Sequence, residues 1–235
     1  YSSAALDVYK RQVKPWTAFP IKGVIWYQGE ANVGRSEQYG DLFPALITDW
    51  RRQWRSDFPF YFVQLANFME SKKIQPDSEW AALREAQTKA LKLDQVGMAV
   101  TIDIGLADDI HPKNKQEVGR RLALVALAGS YGKNVSSSAP VFQNYIIKGN
   151  KMELDFGQKQ DGFQIKGTTL KGFTIAGPDR VFYPAEAMVH DGKIILSSTE
   201  VPAPLAARYG WADNPDCNLY GENGLPVAPF RTDCW

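Results

Sequence analysis

Three short apolar runs, separated by stretches of helical periodicity, constrain this chain more than any other feature. GVIWY (23–27), FPFYFVQLA (58–66) and VGMAVTIDI (96–104) are nearly continuous in apolar residues, the pattern of strands covered on both faces. After the first run, Tyr39, Leu42, Phe43, Leu46, Ile47, Trp50 and Trp54 recur at helical spacing, which predicts a helix capped by Ser36. Pro44 within it predicts a kink or a later start. After the second, Trp80, Leu83, Ala86, Ala90 and Leu91 share one side of a helix over 79–93, capped by Asp77 or Ser78. After the third, Pro112 stands where a first helical residue would, opening a helix that runs to about Tyr131 and ends at Gly132. Three β-α units in succession predict a parallel sheet between helices, an α/β fold of the doubly wound sandwich type. Three strands are few for such a sheet, so the domain reads as truncated on its amino-terminal side.

Beyond GKNVSSSAP (132–140) the pattern changes. YIIKGNKMELDF predicts a hairpin about Gly149-Asn150, and AMVHDGKIILSS a second about Asp191-Gly192, with GFQIKG and LKGFTIAG as further strands. The division expected is an α/β part over 13–133 and a β-rich part over 134–235. Within the latter, a small antiparallel β-domain ends near residue 200, and the tail, rich in Pro, Asn, Gly and aromatics, wraps a surface as an ordered loop. His190, beside its turn, is expected in solvent.

The formal net charge of +1, with both signs interspersed, gives no electrostatic case for nucleic acid or a membrane surface as partner. No apolar run approaches the ~18 residues of a membrane span. Cys217 and Cys234 allow one disulfide or two free thiols, and their surroundings carry no zinc-ligand spacing.

The first twelve residues are expected to be foreign to the protein. SSAALDVYKRQ resembles a translated sequencing adapter, and Asp7 to Gln12 can be written GAT GTG TAT AAG AGA CAG, a transposase mosaic end. On that reading genuine protein starts near Val13, and such scars are kept out of fold reasoning.

Two stretches carry candidate chemistry. GLADDIHPKN (105–114) follows the third predicted strand, at the sheet edge where α/β proteins bind ligands. Asp108 or Asp109 can reach one ring nitrogen of His111 in a tight loop, leaving the other to take a proton from a hydroxyl nucleophile. The alternative is that Asp109 or His111 merely caps the next helix. WYQGEAN (26–32) follows the first strand: Gly29 permits a tight turn, and Gln28 and Asn32 carry amide donors suited to an oxyanion, with Glu30 between them. A polar turn serving the next helix is the alternative there. Arg208, in ARYGWAD, either pairs with a carboxylate such as that of a sialic acid or braces the β-rich part.

Taken together, KGVIWYQGEAN, VTIDIGLADDIHPKNKQEVGRRLALVAL and the tail RYGWADNPDCNLY resemble the sialate O-acetylesterase family, carbohydrate esterases of the SGNH (GDSL-type) hydrolases. The resemblance runs over Val13 to Trp235. It implies a Ser-His-Asp esterase that removes acetyl groups from the hydroxyls of an acetylated carbohydrate, sialic acid or a related sugar, without metal or other cofactor. It assigns His111 as base, Asp108 or Asp109 as its orienting carboxylate, and Gln28, or second Asn32, as oxyanion donor within the Gln28-Gly29-Glu30 block. It also implies a periplasmic or secreted protein. Ala31 stands where the family usually has Ser. The family's G-Q-S-N nucleophile block is absent, and no serine here sits in a comparable strand-end context. The chain alone is therefore expected to be inactive. Other SGNH esterases, of xylan, pectin or lipid, and a carbohydrate-binding protein using Trp211, are the rival readings.

Overall fold

The computed structural model describes residues 9–157 and 162–235. Most of the stretch read as adapter-derived lies outside the described residues; its last four residues belong, with Val13, to a single π-helical turn (Tyr9–Val13).

Three strands, β1 (Val24–Trp26), β2 (Phe60–Val63) and β3 (Val96–Ala99), form a parallel sheet in the order β1-β2-β3. They alternate with helices α1 (Ser36–Trp54), α2 (Glu79–Thr88) and α3 (Lys115–Gly129). Strand β2 sorts the core by simple alternation. Phe60 and Phe62 pack with Phe43 and Ile47 of α1 and with Leu83 and Ala86 of α2. Tyr61 and Val63 face the other way, onto Val118, Leu122 and Val125 of α3. Helix α3 comes so close that a Cβ on Gly97 would lie 2.5 Å from Val125 Cγ1, so any larger residue at this position of β3 forces its neighbours to shift. At the edge, Ile25 of β1 is 70% exposed, because α3 covers only β2 and β3 on that face.

Several boundaries differ from expectation. Ser36 is the first helical residue of α1 and not its cap; Arg35 precedes it and offers no capping side chain. Pro44 sits inside α1 without ending it. Ser78 does cap α2, accepting from the Ala81 amide at 3.0 Å, but α2 stops at Thr88 and a 3-10 turn (Lys89–Lys92) finishes the segment. Helix α3 starts at Lys115 and not at Pro112, since Asn114 Oδ1 takes the Glu117 amide at 3.1 Å. Strand β3 ends at Ala99, short of residue 104. Beyond it the Val100 carbonyl is held by Arg121 Nη1 at 2.7 Å and the Ile104 amide turns back to Thr101, so no ladder can continue.

The β-rich part holds two four-stranded antiparallel sheets and a two-stranded ribbon. The first sheet runs β4 (Asn144–Lys148), β5 (Lys151–Asp155), β10 (Lys193–Ser197), β9 (Glu186–His190). The second runs β13 (Phe230–Arg231), β11 (Ala206–Tyr209), β7 (Phe173–Ala176), β8 (Phe182–Pro184). The ribbon pairs β12 (Leu219–Gly221) with β6 (Phe163–Ile165). Both expected hairpins are present; Asp191 and Gly192 take φ of 49° and 71°, as a two-residue turn requires. His190 is exposed beside it. The tail corrects the reading of a wrapping loop: it supplies β11, β12 and β13, and all four residues of β11 are buried. Met152, Leu154, Ile194 and Leu196 of the first sheet share one core with Ile175, Ala207 and Tyr209 of the second. Cys217 and Cys234 are both free thiols, and burial pushes Cys217 up to about 12.

Polar bolts join the β-rich part to the α/β part. Arg84 of α2 is fully buried and gives its donors to four carbonyls: Leu65 and Ala66 at 2.9 Å, Ala212 at 2.7 Å and Asp213 at 2.8 Å. Burial lowers its pKa from 12.5 to about 9, the cost of carrying a charge there. Arg231 grips Glu85 through two bonds of 2.8 Å, and Tyr220 donates to Asp103, itself paired with the buried Arg121. Among the described residues no helix is long and apolar enough to cross a membrane.

Candidate active site

The two stretches singled out by sequence meet at the carboxyl end of the sheet. Tyr27 and Gln28 leave β1 directly, and Glu30–Asn32 form a 3-10 turn. The 105–114 loop is pinned beside them by Asn67, whose Oδ1 takes the Gly105 amide at 2.7 Å, and by a parallel bridge between Phe68 and Leu106. Between the two stretches lies an open cleft of about 350 Å³, lined by Gln28, Glu30 and Ala31 from one side and Ile110, His111 and Lys115 from the other. Tyr27 and Pro112 complete the lining; among the described residues none of these is a serine.

The His111 side chain is 84% exposed, so a ring nitrogen is open to a reactant. Asp109 shapes the loop: its Oδ1 takes the His111 amide at 2.9 Å and stands 3.9 Å from Nδ1 of the same residue. That separation is ion-pair distance, longer than a hydrogen bond. Lys113 Nζ lies 3.9 Å from the other carboxylate oxygen. Asp108 is exposed, and no ion pair joins it to His111.

Gln28 is held firmly. Its Nε2 donates to Asn32 Oδ1 at 2.7 Å, the Tyr39 hydroxyl donates to its carbonyl at 3.1 Å and to Oε1 at 3.3 Å, and Gln87 Nε2 donates to its carbonyl at 3.3 Å. The second hydrogen on Gln28 Nε2 remains for the cleft. Asn32 does not line the cleft; it orients Gln28. Gly29 is needed for close approach, since a Cβ there would meet Gln87 Nε2 at 3.2 Å and Leu65 Cδ2 at 3.3 Å. The Tyr27 hydroxyl is buried without a partner among the described residues; burial first, and Glu30 second, push it up to about 12. Lys115 Nζ sits 4.8 Å above the Tyr27 ring. Arg208 is elsewhere, clamped by Asp233 at 2.9 and 2.7 Å and by the Pro76 carbonyl at 2.8 Å, with its side chain 6% exposed; the bracing alternative describes its position.

Sequence reasoning missed Tyr27, Lys115 and the support from Gln87 and Asn67. Gln87 had a readable signal, an amide beside the apolar positions Leu83, Ala86 and Ala90 of α2. It donates to the carbonyls of Gln28 and Val63 while its Oε1 takes the Leu65 amide, joining β2 to the Gln28 loop. Among the described residues no three His, Cys, Asp or Glu side chains converge as a metal site would require. What the cleft offers is an accessible imidazole facing a fixed amide donor, the acid–base and electrostatic parts of an acyl-transfer site.

Comparison with known proteins gives the family. The sequence model described as carbohydrate esterase, sialic acid-specific acetylesterase, matches residues 3–128. The chain belongs to this family. The match takes in both cleft-forming stretches and part of the amino-terminal stretch expected to be foreign. Among curated family relatives, the sialate O-acetylesterase of Mus musculus is 30% identical over 95% of this chain and 46% of its own length. That of Homo sapiens is 30% identical over 95% and 48%. The chain thus spans about half the length of the curated relatives it matches. A crystal structure of a carbohydrate acetylesterase from Xanthomonas citri superposes with a TM-score of 0.92 at 43% identity, covering 100% of this chain and 57% of the other.

Proposed function

We propose that this chain supplies the base and oxyanion-binding side of a carbohydrate O-acetylesterase acting on an acetylated sugar hydroxyl, as in sialic acid or a related sugar. The nucleophilic serine comes from a G-Q-S-N-type segment that this sequence does not contain. The observation that carries the reading is the cleft in which His111 and Gln28 face one another at the carboxyl edge of the parallel sheet.

The chemistry follows from those two groups. His111 takes the serine proton as Oγ attacks the acetyl carbonyl, and Gln28 Nε2 donates to the oxyanion that forms. Collapse breaks the bond to the sugar oxygen, which leaves as a hydroxyl with the proton from His111. Water, deprotonated by the same imidazole, then releases acetate and restores the serine. Asp109 steadies the imidazolium, and Asn32 aims Gln28.

The test is reconstitution. This chain, joined to the amino-terminal half of the Xanthomonas citri acetylesterase, is expected to hydrolyse 4-nitrophenyl acetate, and His111→Ala to lower kcat by about 10³-fold or more. The chain alone is expected to show no turnover. Turnover by the chain alone that vanishes in His111→Ala, or a reconstituted His111→Ala enzyme of normal rate, overturns the proposal. A panel of acetylated sialic acids, xylan and pectin oligomers then orders the substrates.

A further inference from the structure

A second cleft, of about 420 Å³, opens where the loop between β2 and α2 meets the tail and the β-rich part; it shares no lining residue with the His111 cleft. Its size is that of a small-ligand site. Its charge is unbalanced. Lys171 is paired with Asp216 at 2.9 Å, whereas Lys72 and Lys73 have neither ion-pair nor hydrogen-bond partner among the described residues. Half-buried Trp211 lines the same space, its indole N–H donating to the Pro76 carbonyl at 3.1 Å. The guanidinium carbons of Arg231 and Arg208 lie 4.8 and 5.0 Å from its ring.

The frame of this cleft is rigid although its rim is not buried. At one end of the loop, Asn214 Nδ2 donates to the Met69 carbonyl at 2.7 Å. At the other, Gln75 Nε2 donates to the Asp213 carboxylate, the Asp213 amide donates to Gln75 Oε1 at 3.1 Å, and Arg208 donates to Pro76. Between these staples Ser71, Lys72, Lys73 and Ile74 are exposed. A pre-ordered aromatic wall therefore lies beside two unpaired ammonium groups on flexible stems; the wall needs no ordering on binding, and the two lysine side chains are what a ligand must immobilise.

We propose that this cleft binds an anionic saccharide, a short oligosaccharide carrying uronic or sialic acid units, with Trp211 against the apolar face of a ring and Lys72 and Lys73 at its carboxylates. Three features select this class. The aromatic wall suits a sugar ring, hydroxyl and amide side chains (Thr174, Gln75) suit its hydroxyls, and the cations are ammoniums, not the arginine forks or glycine-rich helix start that mark phosphate sites. The proposal does not depend on the role of His111.

The experiment is calorimetric titration of the full chain with trigalacturonic acid, with maltotriose as the neutral trisaccharide and tripolyphosphate as the anion without a ring. The Trp211 indole N–H resonance, identified by its loss in Trp211→Phe, is followed in parallel. Expected are saturable binding of trigalacturonic acid, a shift of the Trp211 signal, and a Kd at least about tenfold lower than that of either other probe, as two charge contacts allow. Lys72→Ala with Lys73→Ala is expected to remove that advantage, and His111→Ala to leave binding unchanged. No saturable binding, equal binding of maltotriose or tripolyphosphate, an unmoved Trp211 signal, an unaffected double-lysine variant, or loss in His111→Ala each overturns it.

Discussion

The amide of Gln28 is locked by the amide of Asn32: Nε2 of the first donates to Oδ1 of the second at 2.7 Å. With the Tyr39 hydroxyl donating to Gln28 Oε1 at 3.3 Å, Nε2 is the end that donates to Asn32, which leaves it one further hydrogen. In the reconstituted enzyme Gln28→Ala is expected to lower kcat by roughly 10²–10³-fold with KM little changed, the loss of one oxyanion donor. Asn32→Ala is expected to cost about tenfold, a positioning loss well below that of the donor itself. Asn32→Asp, which keeps the acceptor, is expected to restore most of that loss, and steady-state kinetics separate the cases.

The two aspartates before His111 are predicted to differ. Asp109 stands 3.9 Å from Nδ1 and is the carboxylate that the proposed mechanism uses to orient the imidazole, so Asp109→Ala should lower kcat of the reconstituted enzyme by roughly 10²–10⁴-fold. Asp108→Ala should stay within about twofold, as an exposed charge without a partner at the base. Equal effects from the two would remove Asp109 from its role.

Gly97 predicts a packing defect. Gly97→Ala drives a methyl against Val125 Cγ1 and the Tyr61 ring, at 2.5 and 3.1 Å, and is expected to cost about 1–3 kcal/mol of stability. Adding Val125→Ala removes the nearest clash, so the double variant should unfold at a higher temperature than Gly97→Ala alone, followed by circular dichroism.

Glu117 predicts an acid-sensitive term. The Arg120 hydrogen bond, aided by Arg121 and opposed by partial burial, holds its carboxyl down at about 2 against an ordinary 4.5. A depressed carboxylate contributes stability fully above 4.5, and that stability is lost as pH falls toward 2. Allowing for solvent screening, Glu117→Gln should cost about 1 kcal/mol at pH 7 and almost nothing near pH 2. Thermal melts across that range read the difference.

Much of this was legible in the sequence because it rests on local signals. Continuous apolar runs gave the three parallel strands, and Asp191-Gly192 with its left-handed backbone gave a hairpin. The facing of His111 and Gln28 was inferable once each was placed at a strand's carboxyl end. What stayed hidden depends on partners distant in sequence. Strand β3 stops early because Arg121, on the following helix, takes a carbonyl that the ladder would need. The tail looked like a covering loop because its strands are short and find partners, such as Thr174 for Arg208, only in the folded chain. That Asp109 and not Asp108 takes the His111 amide is a detail of one turn that no spacing rule encodes.

Arg84 bears on how this chain can be divided. Its guanidinium holds two carbonyls on the α/β side, Leu65 and Ala66, and two on the tail, Ala212 and Asp213. A cut near Gly132, where composition changes, would strip two acceptors from a buried cation and leave Glu85 without Arg231. The compositional border is therefore not a mechanical one, and the β-rich part serves the α/β part as a buttress that cannot be removed or exchanged on its own.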